Sequence, residues 1–432
     1  MDRKVLVVQQ KHSVRLEVDG VHIKPNFEIR SGSVIEVIGM KCIRTWIALV
    51  IVVLSGGSRA ARILAIFPVP AKSHQIVFGA LIEGLLERGH HLTVMSPDPF
   101  KTNNPNITQI DWNYAYKVIE SASDVAKTTQ ERWSSLKVVE QMLLVTKLFT
   151  EAELNHPTVK AMIQNRSEQF DAVIVECFQI TPFHAFAELY NVPLIGITSI
   201  DAIAIAHGTV GNVANAIANP EANNKFGTDM TFWQRIETFI GMLVLNFYLF
   251  PREFAKYDKI IEQYFGSNMT KSEQLMSRID FLMVNAEPAL GFVRPIAPAS
   301  VQLGFLHVKP PKALPSEFQQ YLDRSSRGVI YFSLGTLIRT TTLNQRNVQL
   351  FLDVFRSLPY EVLWKCDGQI DLNGVRNVRL VSWLPQQDVL GVITVSTGTN
   401  IDINLTEQSG AVNPIIQNIS YHQRTRQLSS YL

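Results

Sequence analysis

Short apolar runs alternate along this chain with stretches whose apolar positions recur at helical spacing. Ile63 to Phe67 is branched and short enough for a buried strand, and Pro68 and Pro70 stop it. Ile76, Val77, Ala80, Leu81 and Leu85 then follow a helical period, Gly89 stands where a helix C-terminal glycine belongs, and His91 to Met95 reads as a second strand closed by Pro97. The same order returns with a strand over Phe170–Val175 ending at Glu176, a helix from Thr181 to Leu189 and a strand from Val192 to Thr198. Strand–loop–helix–strand units of this kind predict an α/β protein with parallel sheets.

Between these units, residues 98–170 read as helices and polar loops, with a helix from Trp133 to Phe149 packed under a cleft. Residues 200–230, rich in Ala, Asn and Gly, read as a flexible loop over that cleft. Thr231 to Phe250 is apolar and aromatic; it reads as an amphipathic or membrane-surface helix, and packing on its own domain is the favoured alternative. Phe281–Asn285 is a further strand, and the prolines between Pro288 and Pro315 give that segment the stiffness of an interdomain linker. Beyond it lie a strand running from Gly328 into a Ser/Gly/Thr loop at Thr336, a helix over Gln345–Ser357, and strands at Glu361–Lys365 and Val378–Val381.

The length of 432 residues fits two domains, and 46% hydrophobic with 18% charged residues fits a globular chain with a sizeable core. A net charge of +2 removes the electrostatic case for a nucleic-acid partner. Cys42, Cys177 and Cys366 have neither metal-ligand spacing nor the even count of a disulfide framework. Met40-Lys-Cys-Ile-Arg44, the apolar Trp46–Leu54 and the small residues Ser55–Ser58 have the three parts of a secretory signal peptide over residues 40–61. Residues 1–39 instead read as a hairpin around Asp19-Gly20, so Met40 is expected to be the natural start. With sequons at Asn106, Asn165, Asn268, Asn404 and Asn418, the expected location is the secretory pathway, in the lumen or membrane of the endoplasmic reticulum.

The chemistry lies at strand ends, where ligands meet parallel sheets. His74 falls at the first turn of a helix, whose positive end disfavours imidazolium and leaves a neutral base; a surface histidine beside a capping Ser73 is the plain alternative. Glu176 ends a neighbouring strand and could orient that imidazole, or be a solvated strand-end carboxylate. The loop at Ser333, Gly335 and Thr336 offers amides and hydroxyls to phosphate. Trp383, fixed by Pro385 and followed by Gln386 and Gln387, could stack a planar base or be a core tryptophan in a tight turn.

Taken together, Pro70-Ala-Lys-Ser-His74 with Arg88-Gly-His90, Phe170–Glu176, Tyr331–Thr336, Val362–Lys365 and Trp383–Leu390 resemble the animal UDP-glycosyltransferases, most closely the insect type, from about residue 40 to 390. The resemblance implies the GT-B architecture: two Rossmann-like domains facing a cleft, an acceptor half at 62–287, a linker at 288–327 and a UDP-sugar half at 328–432. It implies that His74 is the general base and Glu176 its carboxylate partner, that Ser333, Gly335 and Thr336 approach the diphosphate, and that Trp383, Gln386 and Gln387 hold uracil. The implied reaction moves a hexose, in family habit glucose, from UDP to a hydroxyl of a small lipophilic acceptor with inversion. UDP-sugar is then a co-substrate and neither cofactor nor metal is required. Membrane-surface association and pairing with related transferases are further expectations of the resemblance.

After Leu390 the pattern breaks. The family continues with a His-Pro-Asn segment, a Thr-His-Gly-Gly run and an Asp-Gln pair; here Gly391-Val-Ile-Thr-Val-Ser-Thr follows, and Ile403–Ser430 resembles a later region of the family. The expectation is an incomplete donor domain without the family's C-terminal membrane helix, hence weak UDP-sugar binding. The competing function is a non-catalytic protein that holds lipophilic acceptors or modulates full-length relatives. A nicotinamide-dependent oxidoreductase is disfavoured, since Pro68–His74 stands where Gly-X-Gly-X-X-Gly would be.

Overall fold

The computed structural model describes residues 6–10, 13–18, 21–23, 60–122, 135–178, 180–213, 215–219, 226, 229–288, 293–335, 343 and 345–392. The chain divides into two units, Met1–Arg59 and Ala60–Leu432. In the first, β1 (Leu6–Gln10), β2 (Ser13–Val18) and β3 (Val21–Ile23) form an antiparallel meander, with Val18 opposite Val21. Residues 40–59 of the expected signal segment and the closing residues 393–432 lie outside the described residues.

The second unit contains two parallel sheets. The larger has seven strands: β4 (Arg62–Ile66), β5 (His91–Ser96), β6 (Ile107–Asp111), β7 (Ala172–Glu176), β8 (Leu194–Thr198), β9 (Phe281–Val284) and β10 (Ser300–Gln302), in the order β10-β9-β8-β7-β4-β5-β6. The smaller has β11 (Val329–Ser333), β12 (Glu361–Lys365) and β13 (Val378–Val381) in that order. Among the described helices are α1 (Lys72–Glu87), α2 (Ala115–Ala122), α3 (Ser135–Leu154), α4 (Pro157–Asn165), α5 (Ala185–Tyr190), α6 (Ala204–Thr209), α7 (Phe232–Val244), α8 (Phe250–Phe265), α9 (Ser272–Met276), α10 (Ser316–Arg324), α11 (Gln345–Ser357) and α12 (Gln386–Val392).

Period-two alternation explains why the strand cores read as continuous apolar runs. Ile63 and Ala65 of β4, with Ile174 of β7, pack against Val77, Phe78 and Ile82 of α1; Leu64 and Ile66, with Val173 and Val175, pack into the layer formed by α3, α4 and α8. The smaller sheet repeats the pattern, Phe332 and Trp364 facing Phe351 and Phe355 of α11 while Leu363 faces Phe318 of α10.

Four expectations are corrected. A strand, β6, lies within residues 98–170; its Thr108, Gln109 and Asp111 obscure the apolar signal, as an edge strand permits. The proline-rich segment, read as linker alone, contributes β10 to the larger sheet, paired in parallel with β9. The loop read over 200–230 contains helix α6. The helix begun at Phe232 does not end near Phe250; it passes through one π turn at Leu245–Leu249 into α8. Pro251 cannot supply the next helical N–H, and the wider turn just before it accommodates the missing bond. Along this helix Phe232 and Trp233 of α7 and Phe247 of the π turn are 68%, 74% and 79% exposed, while Thr238, Leu249 and Phe250 are buried. Among the described residues no helix is long and apolar enough to cross a membrane.

Candidate functional site

The β4–α1 loop carries the first site residue. Helix α1 starts at Lys72 behind Ala71, which gives no side-chain cap, so Ser73 does not act as the N-cap and His74 is the third helical residue. Glu176 is the last residue of β7, and β7 pairs directly with β4, Val175 opposite Ile66. This register brings the two side chains together at the carboxyl rim, His74 Nδ1 lying 2.5 Å from Glu176 Oε1. A carboxylate accepts, so Nδ1 is the donor, and in the neutral imidazole Nε2 is then the nitrogen with the lone pair. Glu176 is 1% exposed and His74 12%. The Val69 N–H donates to the other carboxylate oxygen at 3.3 Å, and the Phe178 ring stands edge-on to the imidazole at 5.6 Å.

Three groups near this pair escaped the sequence reading. Glu153 of α3 is fully buried with neither carboxyl oxygen hydrogen-bonded, and burial, then the charge of Glu176, hold its carboxyl well above the usual range. Gln75 ties the β4–α1 loop to Ser96 at the end of β5. At the rim beyond β8, Asp201 accepts from His207 Nε2 at 3.1 Å and from Arg294 Nη2 at 2.6 Å, while Asn212 meets His207 Nδ1 at 3.0 Å. A histidine and a carboxylate at strand ends were visible in the sequence; a buried Glu on a helix and a Gln beside a His carry no local pattern.

On the second sheet, Ser333 ends β11 and its Oγ accepts the Gly335 N–H at 3.2 Å. Gly335 has φ +84°, a conformation glycine adopts without strain, and space around it is open. Thr336 lies outside the described residues. Trp383 is 68% exposed, not a core residue, on the segment between β13 and α12. Gln386 Oε1 accepts from the Tyr331 hydroxyl at 3.1 Å, which sets it beside β11. Gln387 turns to residues 307–309, accepting from the Lys309 N–H at 3.4 Å and donating to the His307 carbonyl at 3.2 Å. The structure therefore pairs His74 with Glu176 and Ser333 with Gly335, and directs Gln387 away from Gln386 toward residues 307–309. A cavity of about 130 Å³ lined by His184, Glu188, Arg278 and Asp280 lies at the opposite, amino-terminal end of β8 and β9 and touches none of these residues.

A family model described as UDP-glucoronosyl and UDP-glucosyl transferase matches residues 62–397. The chain is 30% identical over 343 residues to "UDP-glucosyltransferase 2" of Dactylopius coccus, covering 78% of this chain and 65% of that protein. It is 29% identical over 356 residues to an "Ecdysteroid UDP-glucosyltransferase" of Spodoptera littoralis nuclear polyhedrosis virus, covering 77% of this chain and 68% of the other. The chain thus spans about two thirds of the length of these relatives. Among solved structures it is similar to the glycotransferase of kitacinnamycin, at 15% identity and a TM-score of 0.44, over 77% of this chain and 73% of the other.

Proposed function

Because the chain belongs to the UDP-glycosyltransferase family, we propose that it transfers a hexose, glucose by analogy with its relatives, from a UDP-sugar to a hydroxyl of a small lipophilic acceptor. The relative named for ecdysteroids supports an acceptor of that class. The observation that carries the proposal is the His74–Glu176 contact at the carboxyl rim of β4 and β7.

In this reading His74 Nε2 takes the proton from the acceptor hydroxyl as its oxygen attacks the anomeric carbon in line. The bond to the diphosphate oxygen breaks, UDP departs with the electron pair, and the sugar inverts. Glu176 holds the imidazole through Nδ1–H and stabilises the imidazolium as it forms, as a carboxylate does beside a catalytic histidine. Ser333, Gly335 and Thr336 offer amide and hydroxyl donors to the diphosphate where β11 ends. Trp383 stacks uracil, Gln386 meets its edge, and Gln387 acts on the interdomain segment.

Transfer from UDP-glucose measured with H74A and E176Q tests the assignment. Loss of a positioned general base lowers kcat about 10²- to 10⁴-fold. H74A activity within a factor of about two of the parent would remove His74 from the chemistry.

One observation favours a second reading, a non-catalytic holder of lipophilic acceptors or a modulator of full-length relatives. After Leu390 the chain lacks the family's His-Pro-Asn, Thr-His-Gly-Gly and Asp-Gln segments. Affinity for UDP separates the two readings.

A further inference from the structure

The β4–α1 loop, Phe67-Pro68-Val69-Pro70, contains two residues without an N–H and leaves the sheet ladder with carbonyls to satisfy. One side chain satisfies two of them. Gln75 Nε2 donates to the Phe67 carbonyl at 3.2 Å and to the Val69 carbonyl at 3.0 Å, while Gln75 Oε1 accepts from Ser96 Oγ at 2.9 Å. Ser96 Oγ in turn accepts the Asp98 N–H at 3.0 Å. Gln75 is 4% exposed and Ser96 1%, so water does not compete for these bonds. His74 and Gln75 are consecutive on the first turn of α1 and point about 100° apart. His74 therefore reaches β7 on one side of β4, and Gln75 reaches β5 on the other.

Val69 lies between them and is held at both ends, its carbonyl by Gln75 and by the Ala71 N–H at 2.8 Å, and its N–H by Glu176 Oε2. With Oε2 engaged, Oε1 is the oxygen presented to His74 Nδ1. We propose that Gln75 is a positioning residue for the His74–Glu176 pair: by helping to fix Val69 it holds the plane of the Glu176 carboxylate toward the imidazole, and it links the loop after β5 to the base. The terminal torsion of a glutamate is broad and roughly two-fold, so a carboxylate without the Val69 contact turns and holds the imidazole less rigidly. The Tyr116 hydroxyl donates to Asp98 Oδ2, which extends the link to α2. This inference rests on His74 being the base.

The variants are Q75M, which keeps the side-chain length and removes all three hydrogen bonds, and S96A, which removes one. Two readouts are taken on the full chain. The first is the ring ¹H–¹⁵N spectrum of protein labelled with ¹⁵N-histidine, the His74 signals being those missing from H74A. The second is steady-state transfer from UDP-glucose to 4-nitrophenol. In Q75M the low-field Nδ1–H signal of His74 moves toward the position of an unpaired imidazole, and kcat falls about tenfold to a hundredfold with KM for UDP-glucose within about twofold. S96A changes both in the same direction by less. An unchanged His74 signal and unchanged kcat in folded Q75M overturn the inference, and S96A decides the same question if Q75M fails to fold. Transfer that survives in H74A overturns the assignment of the base instead, and the His74 signal then still reports whether Gln75 positions the ring.

Discussion

His184 and Glu153 are buried ionisable side chains with opposite pH consequences. Burial lowers His184 from 6.5 to about 4, against the raising effect of its hydrogen bond with the Leu275 carbonyl. The unfolded chain therefore binds a proton that the folded chain refuses, so the neutral imidazole does not penalise folding above pH 6.5 and folding stability falls as pH drops from 6.5 toward 4. The depression corresponds to about 3 kcal/mol, to order of magnitude. Urea unfolding at pH 7 and pH 4.5 should show the parent losing about that much more stability than H184Q; equal losses would mean that His184 is not the buried group responsible. Glu153 works the other way, its raised carboxyl favouring the fold most at low pH and less as pH rises through and beyond 4.5. At this scale, the sequence placed His74 after one strand and Glu176 at the end of a neighbouring one, and offered their pairing beside the plainer reading of each. Their contact across 102 residues, and the part played by Gln75 and Val69, depend on β4 lying between β5 and β7.

At the scale of elements, the strands richest in branched residues were legible because burial on both faces makes them continuous apolar runs. Gln345–Ser357, Glu361–Lys365 and Val378–Val381 coincide with the expected spans, and Gly89 at φ +81° closes α1 as a C-terminal glycine. Edge strands and the long helix were not legible: β6 and β10 gain their structure from a neighbour's backbone, and the helix through Pro251 continues because a π turn absorbs the defect. Gly196, inside β8, shows how closely the elements pack. A Cβ there would stand 2.5 Å from Cys177 Sγ and 2.9 Å from Leu282 Cδ1. G196A should lower the unfolding free energy by about 1–3 kcal/mol through overpacking, measured by urea denaturation; an unchanged midpoint would show that β7 and β9 shift freely to admit a methyl. The same burial pushes the Cys177 thiol up to about 12, which leaves it a packing group rather than a nucleophile.

At the scale of the whole molecule, the residues from Ala60 carry a seven-stranded sheet and a three-stranded sheet whose β11 ends in the Ser333–Gly335 turn. The diphosphate would have to be held by that turn, without the His-Pro-Asn and Thr-His-Gly-Gly segments of the family. Each charge-assisted hydrogen bond that is absent lowers affinity about tenfold or more. On the second reading, isothermal titration with UDP gives a Kd of about 1 mM or weaker. A low-micromolar value would sink the second reading and leave the transferase proposal alone. By itself the sequence determined the α/β class, the order of the two parallel sheets and the strand ends on which the candidate chemistry sits, because hydrophobic period and proline and glycine punctuation are local properties of the chain. Only the tertiary structure decided that His74 meets Glu176, that Gln387 binds residues 307–309 and that Glu153 lies buried near the site, because strand order and side-chain direction are set by which surfaces pack together, and no local pattern encodes them.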